Sequence, residues 1–152
     1  MTDHSNTAAV ETANAIAKVL ANTHVIYMKA HNFHWNVEGA RFISLHQMFE
    51  AQYSDMAEAM DDLAERIRAL GEYAPGTSSQ FAAMASVKET EGQISAEDML
   101  RETLRDYEVI GEVISEAIEI ADGHGDDVSA GILADRLEYH QKQAWMMRAM
   151  LK

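Results

Sequence analysis

The sequence predicts an all-α chain folded as a four-helix bundle. Helix-favouring residues are abundant, and the 152 residues include only one Pro. Apolar residues recur at helical spacing in four long segments, and no segment shows the strict alternation of a β-strand. Only one connection is long, as in bundles whose second and third long helices are joined by a crossover.

The first two predicted helices form a hairpin. The first runs from about Ala8 to Trp35, and a short connection over Asn36 to Arg41 contains Gly39. The second helix runs from about Phe42 to Leu70 and stops at Gly71, because glycine favours the left-handed backbone that ends a helix. Two long helices therefore follow one another with a tight reversal between them.

The long crossover comes next. Pro75-Gly76 is a turn signal, and Gln80 to Ser86 is expected to form a short extra helix within the crossover. The run Ser95-Ala96-Glu97-Asp98 resembles a capping box that opens the third long helix. That helix ends near Gly123, and the fourth begins near Asp126 and continues to the C-terminus.

Composition indicates one globular domain over residues 9–152, preceded by a short flexible tail over residues 1–8. No apolar run is long enough to span a bilayer, so we expect no membrane partner. The first residues lack the basic and apolar parts of a signal peptide, which favours the cytoplasm. The net charge of −13 disfavours binding to phosphate backbones. The same charge suits attraction of cations, or merely solubility.

Two pairs of metal-binding side chains lie on the second helix. His46 and Glu50 are four residues apart, as are Asp61 and Glu65, so each pair stacks on one helix face. The pairs are separated by fifteen residues, about 22 Å at roughly 1.5 Å per residue, and no single metal spans that gap. All four nevertheless share one broad face of the helix.

The core of the bundle is expected on a different face of the same helix. Its apolar stripe comprises Phe49, Tyr53, Met56, Met60, Leu63, Ile67 and Leu70. The His, Glu and Asp side chains flank this stripe, so they are expected to point towards a neighbouring surface. A two-fold axis near the middle of the helix would bring the first pair of one chain beside the second pair of another.

His34, at the end of the first helix, can approach His46 because the connection reverses the chain. Two imidazoles with three carboxylates suit iron, manganese or zinc, and oxygen donors favour iron that must become ferric. The alternative is that the acids are a solvated surface and the spacing is chance. The chain contains no Glu-x-x-His motif, so the di-iron centre usual inside such bundles is not encoded.

These residues stand in a recognisable pattern. The matching segments are His31-Asn32-Phe33-His34-Trp35-Asn36-Val37, Gly39, Phe42-Ile43-Ser44-Leu45-His46, Met60-Asp61-Asp62-Leu63-Ala64-Glu65-Arg66 and His140-Gln141-Lys142-Gln143-Ala144-Trp145-Met146-Met147-Arg148. The chain resembles the Dps family, or miniferritins, of the ferritin-like superfamily from about Ala8 to Leu151.

The resemblance implies a hollow homo-dodecamer with ferroxidase centres at its two-fold interfaces. His34, His46 and Glu50 would come from one subunit, and Asp61 and Glu65 from the other; many relatives have Asp where Glu50 stands. The family oxidises Fe(II), preferably with hydrogen peroxide, and stores ferric mineral in the cage, which protects against oxidative damage. Iron is thus the implied metal, and no catalytic residue separate from its ligands is implied.

Further residues take roles from the same resemblance. Trp35 is expected to pack near the centre, with electron transfer as the alternative, and His31 to support the ligands from behind. Asp126 and Asp135 match acids of the family's three-fold iron pores. Asp126 is equally explained as an acid favoured at a helix N-terminus. We expect structural roles for His24 and His140.

Direct DNA binding is expected to be weak or absent, because residues 1–11 contain no Lys or Arg. Twelve subunits would carry twelve times the charge of −13, and repulsion from phosphate should dominate. Two functions stay open. The first is a peroxide-dependent ferroxidase and iron store. The second is a non-catalytic protective or nucleoid-associated shell that uses metal only structurally.

Overall fold

The structure, a computed structural model, describes residues 4–152, with side chains from residue 6. Its five helices are α1 (His4–Asn36), α2 (Phe42–Ala69), α3 (Ser78–Met84), α4 (Ala96–Gly123) and α5 (Asp127–Met150). Residues 4–152 contain no strand, and the predicted all-α class is confirmed. Helix α1 begins four residues before the predicted start. The predicted tail falls partly on residues 1–3, which lie outside the described residues.

The four long helices are arranged around one apolar core. Helix α1 packs against α2 and α4, and α4 packs against α5. A smaller contact between α2 and α5 completes the four-helix arrangement. The short α3 lies against α1. The largest fully buried side chains come from α1, α2 and α4: Phe33, Ile16, Leu20, Ile26, Leu45, Phe49, Met56, Leu63, Ile67, Met99, Leu100 and Tyr107. This burial provides the main driving force for the bundle.

Two helix ends are set by glycines in the left-handed region. Gly71 has φ +95°, and its amide and that of Glu72 donate to the carbonyls of Arg68 and Ile67. Gly125 has φ +69° and ends α4 with the same pair of hydrogen bonds. Both arrangements satisfy carbonyls that a helix end would otherwise leave free. The predicted stops of the two helices are therefore confirmed.

The crossover differs from the prediction by two residues. Its short helix spans Ser78–Met84, so it begins and ends two residues before the expected Gln80 to Ser86. The reason is a capping box in which the Thr77 hydroxyl accepts from the Gln80 amide while the Gln80 side chain accepts from the Thr77 amide. At α4, Ser95 caps the helix by accepting a hydrogen bond from the Asp98 amide at 3.1 Å, which is the first of the two bonds of the predicted capping box.

A buried polar network joins α1 to α4. The Lys29 ammonium is 2.6 Å from Asp106 and 3.4 Å from Glu102, and its side chain is buried. Thr90, in the crossover, donates a hydrogen bond to Glu102. Burial raises the pKa of Asp106 although Lys29 opposes the change. No helix within residues 4–152 combines the length and apolar character that crossing a membrane requires.

Candidate metal centre

His34 and His46 are brought together by the reversal between α1 and α2. Gly39 has φ +112°, a left-handed conformation that glycine adopts without strain, and its carbonyl accepts from the Phe42 amide at 3.1 Å. The last turn of α1 is thereby placed beside the first turn of α2. The two imidazole rings stack with centroids 3.8 Å apart and an interplanar angle of 13°.

Each imidazole is held by the main chain of the other residue. His34 Nδ1 donates to the carbonyl of His46 at 2.7 Å, and His46 Nδ1 donates to the carbonyl of His34 at 2.7 Å. A carbonyl oxygen only accepts, so the proton of each neutral ring resides on Nδ1. Both Nε2 atoms consequently keep their lone pairs, which is the tautomer and orientation that a metal-binding imidazole requires.

Aromatic rings pack against the two imidazoles, Phe42 stacking on His46 at 4.9 Å and Tyr53 contacting His34. Tyr53 meets His34 edge-on at 5.3 Å and stacks on His31 at 3.8 Å. Trp35 approaches His31 at 5.1 Å but is 65% exposed, so most of its indole surface is left uncovered by its own chain. Burial and the neighbouring His34 lower the pKa of His31. Sequence reasoning assigned Tyr53 to the core; its spacing of seven from His46 was the signal that linked it to this face.

The carboxylates expected in the site all lie on the outer surface of α2. Glu50, Asp61 and Glu65 are exposed, whereas His46 is half-buried. Of the predicted stripe, Phe49, Met56, Leu63 and Ile67 are buried, and Tyr53, Met60 and Leu70 are half-buried. The acidic face therefore points away from the bundle interior, as the periodicity of α2 predicts.

A single chain brings only part of the expected set together. Within the described residues, no group of three or more His, Asp or Glu side chains could hold a metal ion. The two imidazoles adjoin, and Glu50 follows His46 by one helical turn. Asp61 lies fifteen residues after His46, about 22 Å along α2 at roughly 1.5 Å per residue, and Glu65 lies one turn further. The five-residue set stays a prediction that concerns two chains.

The two predicted pore acids have different surroundings. Asp126 caps α5 by accepting from the Ser129 amide at 3.0 Å, and it pairs with Arg66 at 3.0 Å. Burial opposes ionisation of Asp126, but the bonds from Ser129 and Arg66 outweigh it and lower the pKa. Asp135 is exposed and lines an α2–α5 groove that also contains Glu65. Their role in a pore stays a prediction.

Comparison with known proteins identifies the family. A family model described as a ferritin-like domain matches residues 13–152. General stress protein 20U of Bacillus subtilis is 38% identical over 137 residues, covering 90% of this chain and 94% of that protein. The structure of Dps from Staphylococcus aureus superimposes with a TM-score of 0.91 at 38% identity, covering 93% of this chain and 95% of the other. The chain belongs to the Dps family of ferritin-like proteins.

A second Dps structure extends the comparison. Dps from Vibrio cholerae O1 has a TM-score of 0.93 at 30% identity, covering 97% of this chain and 92% of that one. It is described as a member of a broad superfamily of ferritin-like diiron-carboxylate proteins. In the present Dps chain, His34 and His46 adjoin with both Nδ1 atoms bonded to main-chain carbonyls.

Proposed function

We propose that this Dps protein stores and detoxifies iron. It oxidises Fe(II), preferably with hydrogen peroxide, at centres shared between two-fold-related subunits of a dodecameric cage, and it keeps the ferric mineral inside. The observation that carries the proposal is the pair His34 and His46. The Nδ1 of each ring donates a hydrogen bond to the main-chain carbonyl of the other residue, which leaves both Nε2 atoms available for a metal.

The position of the carboxylates supports a divided centre. Asp61 and Glu65 are exposed and too distant along α2 to reach the imidazoles of their own chain. An antiparallel contact between two α2 helices places them beside His34 and His46 of a second subunit. Trp35, which is 65% exposed, then lies in the same contact, where a second subunit can bury it.

The donor set fits Fe(II) as a substrate that leaves as Fe(III). Imidazole nitrogens bind Fe(II), and the carboxylates favour the more highly charged product. Each hydrogen peroxide accepts two electrons, one from each of two Fe(II), and takes up two protons as its O–O bond breaks, which gives two water molecules. Hydrolysis of the Fe(III) produced releases protons as the mineral forms. Consuming Fe(II) and peroxide together removes the two reactants that generate hydroxyl radical.

A subunit-mixing experiment tests the divided centre. Assemblies of His46→Ala alone, or of Asp61→Ala alone, are expected to lose most peroxide-dependent Fe(II) oxidation, because every site lacks a ligand. Assemblies containing both variants should regain activity, since some two-fold pairs combine an intact imidazole half with an intact carboxylate half. Absorbance of Fe(III) after addition of Fe(II) and peroxide measures the rate.

Glu119→Ala, which removes an exposed acid from α4, serves as the matched control and should keep the full rate. Mixed assemblies no more active than their parents would show that the centre is not shared. An unmodified protein that binds Fe(II) but consumes no peroxide would favour the alternative, a protective shell with structural metal.

A further inference from the structure

A cavity on the α4–α5 face of the bundle has neither His34 nor His46 among its lining residues. It lies between α4 and α5, measures about 520 Å³, and takes no part in the iron chemistry proposed above. Its volume falls within the range of small-molecule sites. Its principal lining residues are Tyr107, Gly111, Glu112, Glu116, Leu137 and His140.

The cavity is kept open by small residues. Glycine weakens the interior of a helix, yet Gly111 lies in the middle of α4. A Cβ atom added at Gly111 would meet only Leu137 Cδ1, at 3.8 Å, which is ordinary contact. Close helix packing therefore does not require this glycine. Ala144 on α5 also lines the cavity, and the absence of larger side chains at both positions creates the space.

A buried imidazole supplies the second observation. His140 is 1% exposed and lines the cavity. Its Nε2 lies 3.5 Å from the Arg136 guanidinium, which is itself paired with Asp55 at 2.8 Å. A guanidinium only donates, so Nε2 accepts and the proton resides on Nδ1. That Nδ1 is buried and finds no hydrogen-bond partner within the described residues, so an acceptor from a ligand would satisfy it.

The rim of the cavity is negatively charged. Glu108 is paired with Arg148 at 3.5 Å, whereas Glu112 and Glu116 form no ion pair within the described residues. These two exposed carboxylates are one turn apart on α4, so they present adjacent charges. Leu137, Ala144 and the Tyr107 ring form an apolar wall beside them, which suits an organic body better than a hydrated metal ion.

We propose that this cavity binds a small organic cation that also carries a hydrogen-bond acceptor, such as an amino alcohol. The ammonium group lies between Glu112 and Glu116, and the hydrocarbon chain contacts Leu137 and Tyr107. The hydroxyl oxygen accepts from His140 Nδ1. Because Nδ1 is buried in the free protein, binding includes a side-chain shift that uncovers it.

Three probes of matched size test the chemical class. 4-Amino-1-butanol has both groups, pentylamine lacks the hydroxyl, and 1-pentanol lacks the charge. Saturation-transfer NMR with the metal-free assembled protein should rank them in that order, with at least a fivefold difference in Kd at each step. Equal binding of the first two would overturn the role of His140, and tightest binding of 1-pentanol would overturn the cation. No binding by any probe would overturn the site.

Variants locate the binding. Glu112→Gln with Glu116→Gln should weaken 4-amino-1-butanol at least tenfold, and Gly111→Leu should abolish its binding by filling the cavity. Glu119→Gln on the same helix is outside the cavity and should bind as the unmodified protein does. His140→Leu should remove the preference for the amino alcohol over pentylamine. Unchanged binding in both the double variant and Gly111→Leu would place the ligand elsewhere and end the proposal.

Discussion

At the residue scale, the least exchangeable contacts are those between His34 and His46. Each ring donates to the main-chain carbonyl of the other residue, which the reversal between α1 and α2 brings within reach. The arrangement fixes the ring nitrogen that must stay unprotonated for metal binding. Tyr53 restrains the same unit from behind through contacts with both His31 and His34.

Two substitutions at Tyr53 distinguish the role of its ring from the role of its hydroxyl. Tyr53→Phe keeps the stacking and should oxidise Fe(II) at close to the normal rate. Tyr53→Leu loses ring contacts that contribute roughly 0.5–1.5 kcal/mol, so it should weaken Fe(II) binding severalfold through less ordered imidazoles. Fe(II) titrations and initial oxidation rates measure both. Equal behaviour of the two variants would argue against positioning by the ring.

At the element scale, the junction between α4 and α5 depends on Asp126. The residue follows the glycine that ends α4, caps α5 through Ser129, and ties both helices to α2 through Arg66. A single carboxylate thus contributes to three elements, which explains its ordered position without reference to iron. Its predicted pore role is a separate question.

Asp126→Asn and Asp126→Ala separate capping from charge. Asparagine is a good N-cap, so Asp126→Asn should keep α5 intact, whereas Asp126→Ala should destabilise the chain by about 1–3 kcal/mol through the lost cap and ion pair. Thermal unfolding checks this difference. If Asp126 also guides iron, Asp126→Asn should slow iron uptake while its stability changes less than that of Asp126→Ala. Unchanged uptake would limit the residue to capping.

At the scale of the whole molecule, one buried histidine makes stability depend on pH. Burial, and then the nearby Arg136, hold the pKa of His140 well below its ordinary value of 6.5. The folded chain keeps the ring neutral, while the unfolded chain protonates it below about pH 6.5. This histidine therefore leaves the free energy of unfolding unchanged above about pH 6.5. Below that pH the free energy of unfolding falls progressively, because only the unfolded chain takes up the proton.

His140→Gln should flatten this dependence. Thermal unfolding midpoints between pH 7.5 and pH 5 should fall more steeply for the unmodified protein than for the variant. Other titrating groups affect both proteins alike, so the difference between the curves isolates His140. Parallel curves would contradict the assignment of a neutral, buried imidazole.

Assembly and charge provide a second prediction for the whole molecule. Twelve chains of 16.9 kDa should give a native mass near 203 kDa. Because each chain has a formal net charge of −13, the cage should not shift linear DNA in a gel at low salt without divalent cations. Native mass spectrometry that found only monomers or dimers would contradict the cage. A tight DNA complex under those conditions would contradict the charge argument.

Several features were accessible to sequence reasoning because they are local. The stops at Gly71 and near Gly123, the cap at Ser95 and the exposed acidic face of α2 all follow from spacing and backbone preference. The start of α3 was misplaced because Thr77 and Gln80 were not read as a capping pair. Capping competes with apolar periodicity over a helix this short, and the capping pair decided the boundary.

The sequence by itself determined the helical class, the helix ends and the spacing that predicts a centre divided between two chains. Only the tertiary structure decided which nitrogen of each imidazole is left free, that Tyr53 packs against His34, and that His140 lines a cavity. The physical reason is the distance along the sequence over which each kind of interaction acts. Helix periodicity and capping are fixed by neighbours within four or five residues, whereas these contacts join residues 12 to 33 positions apart on different helices, and packing selects their partners.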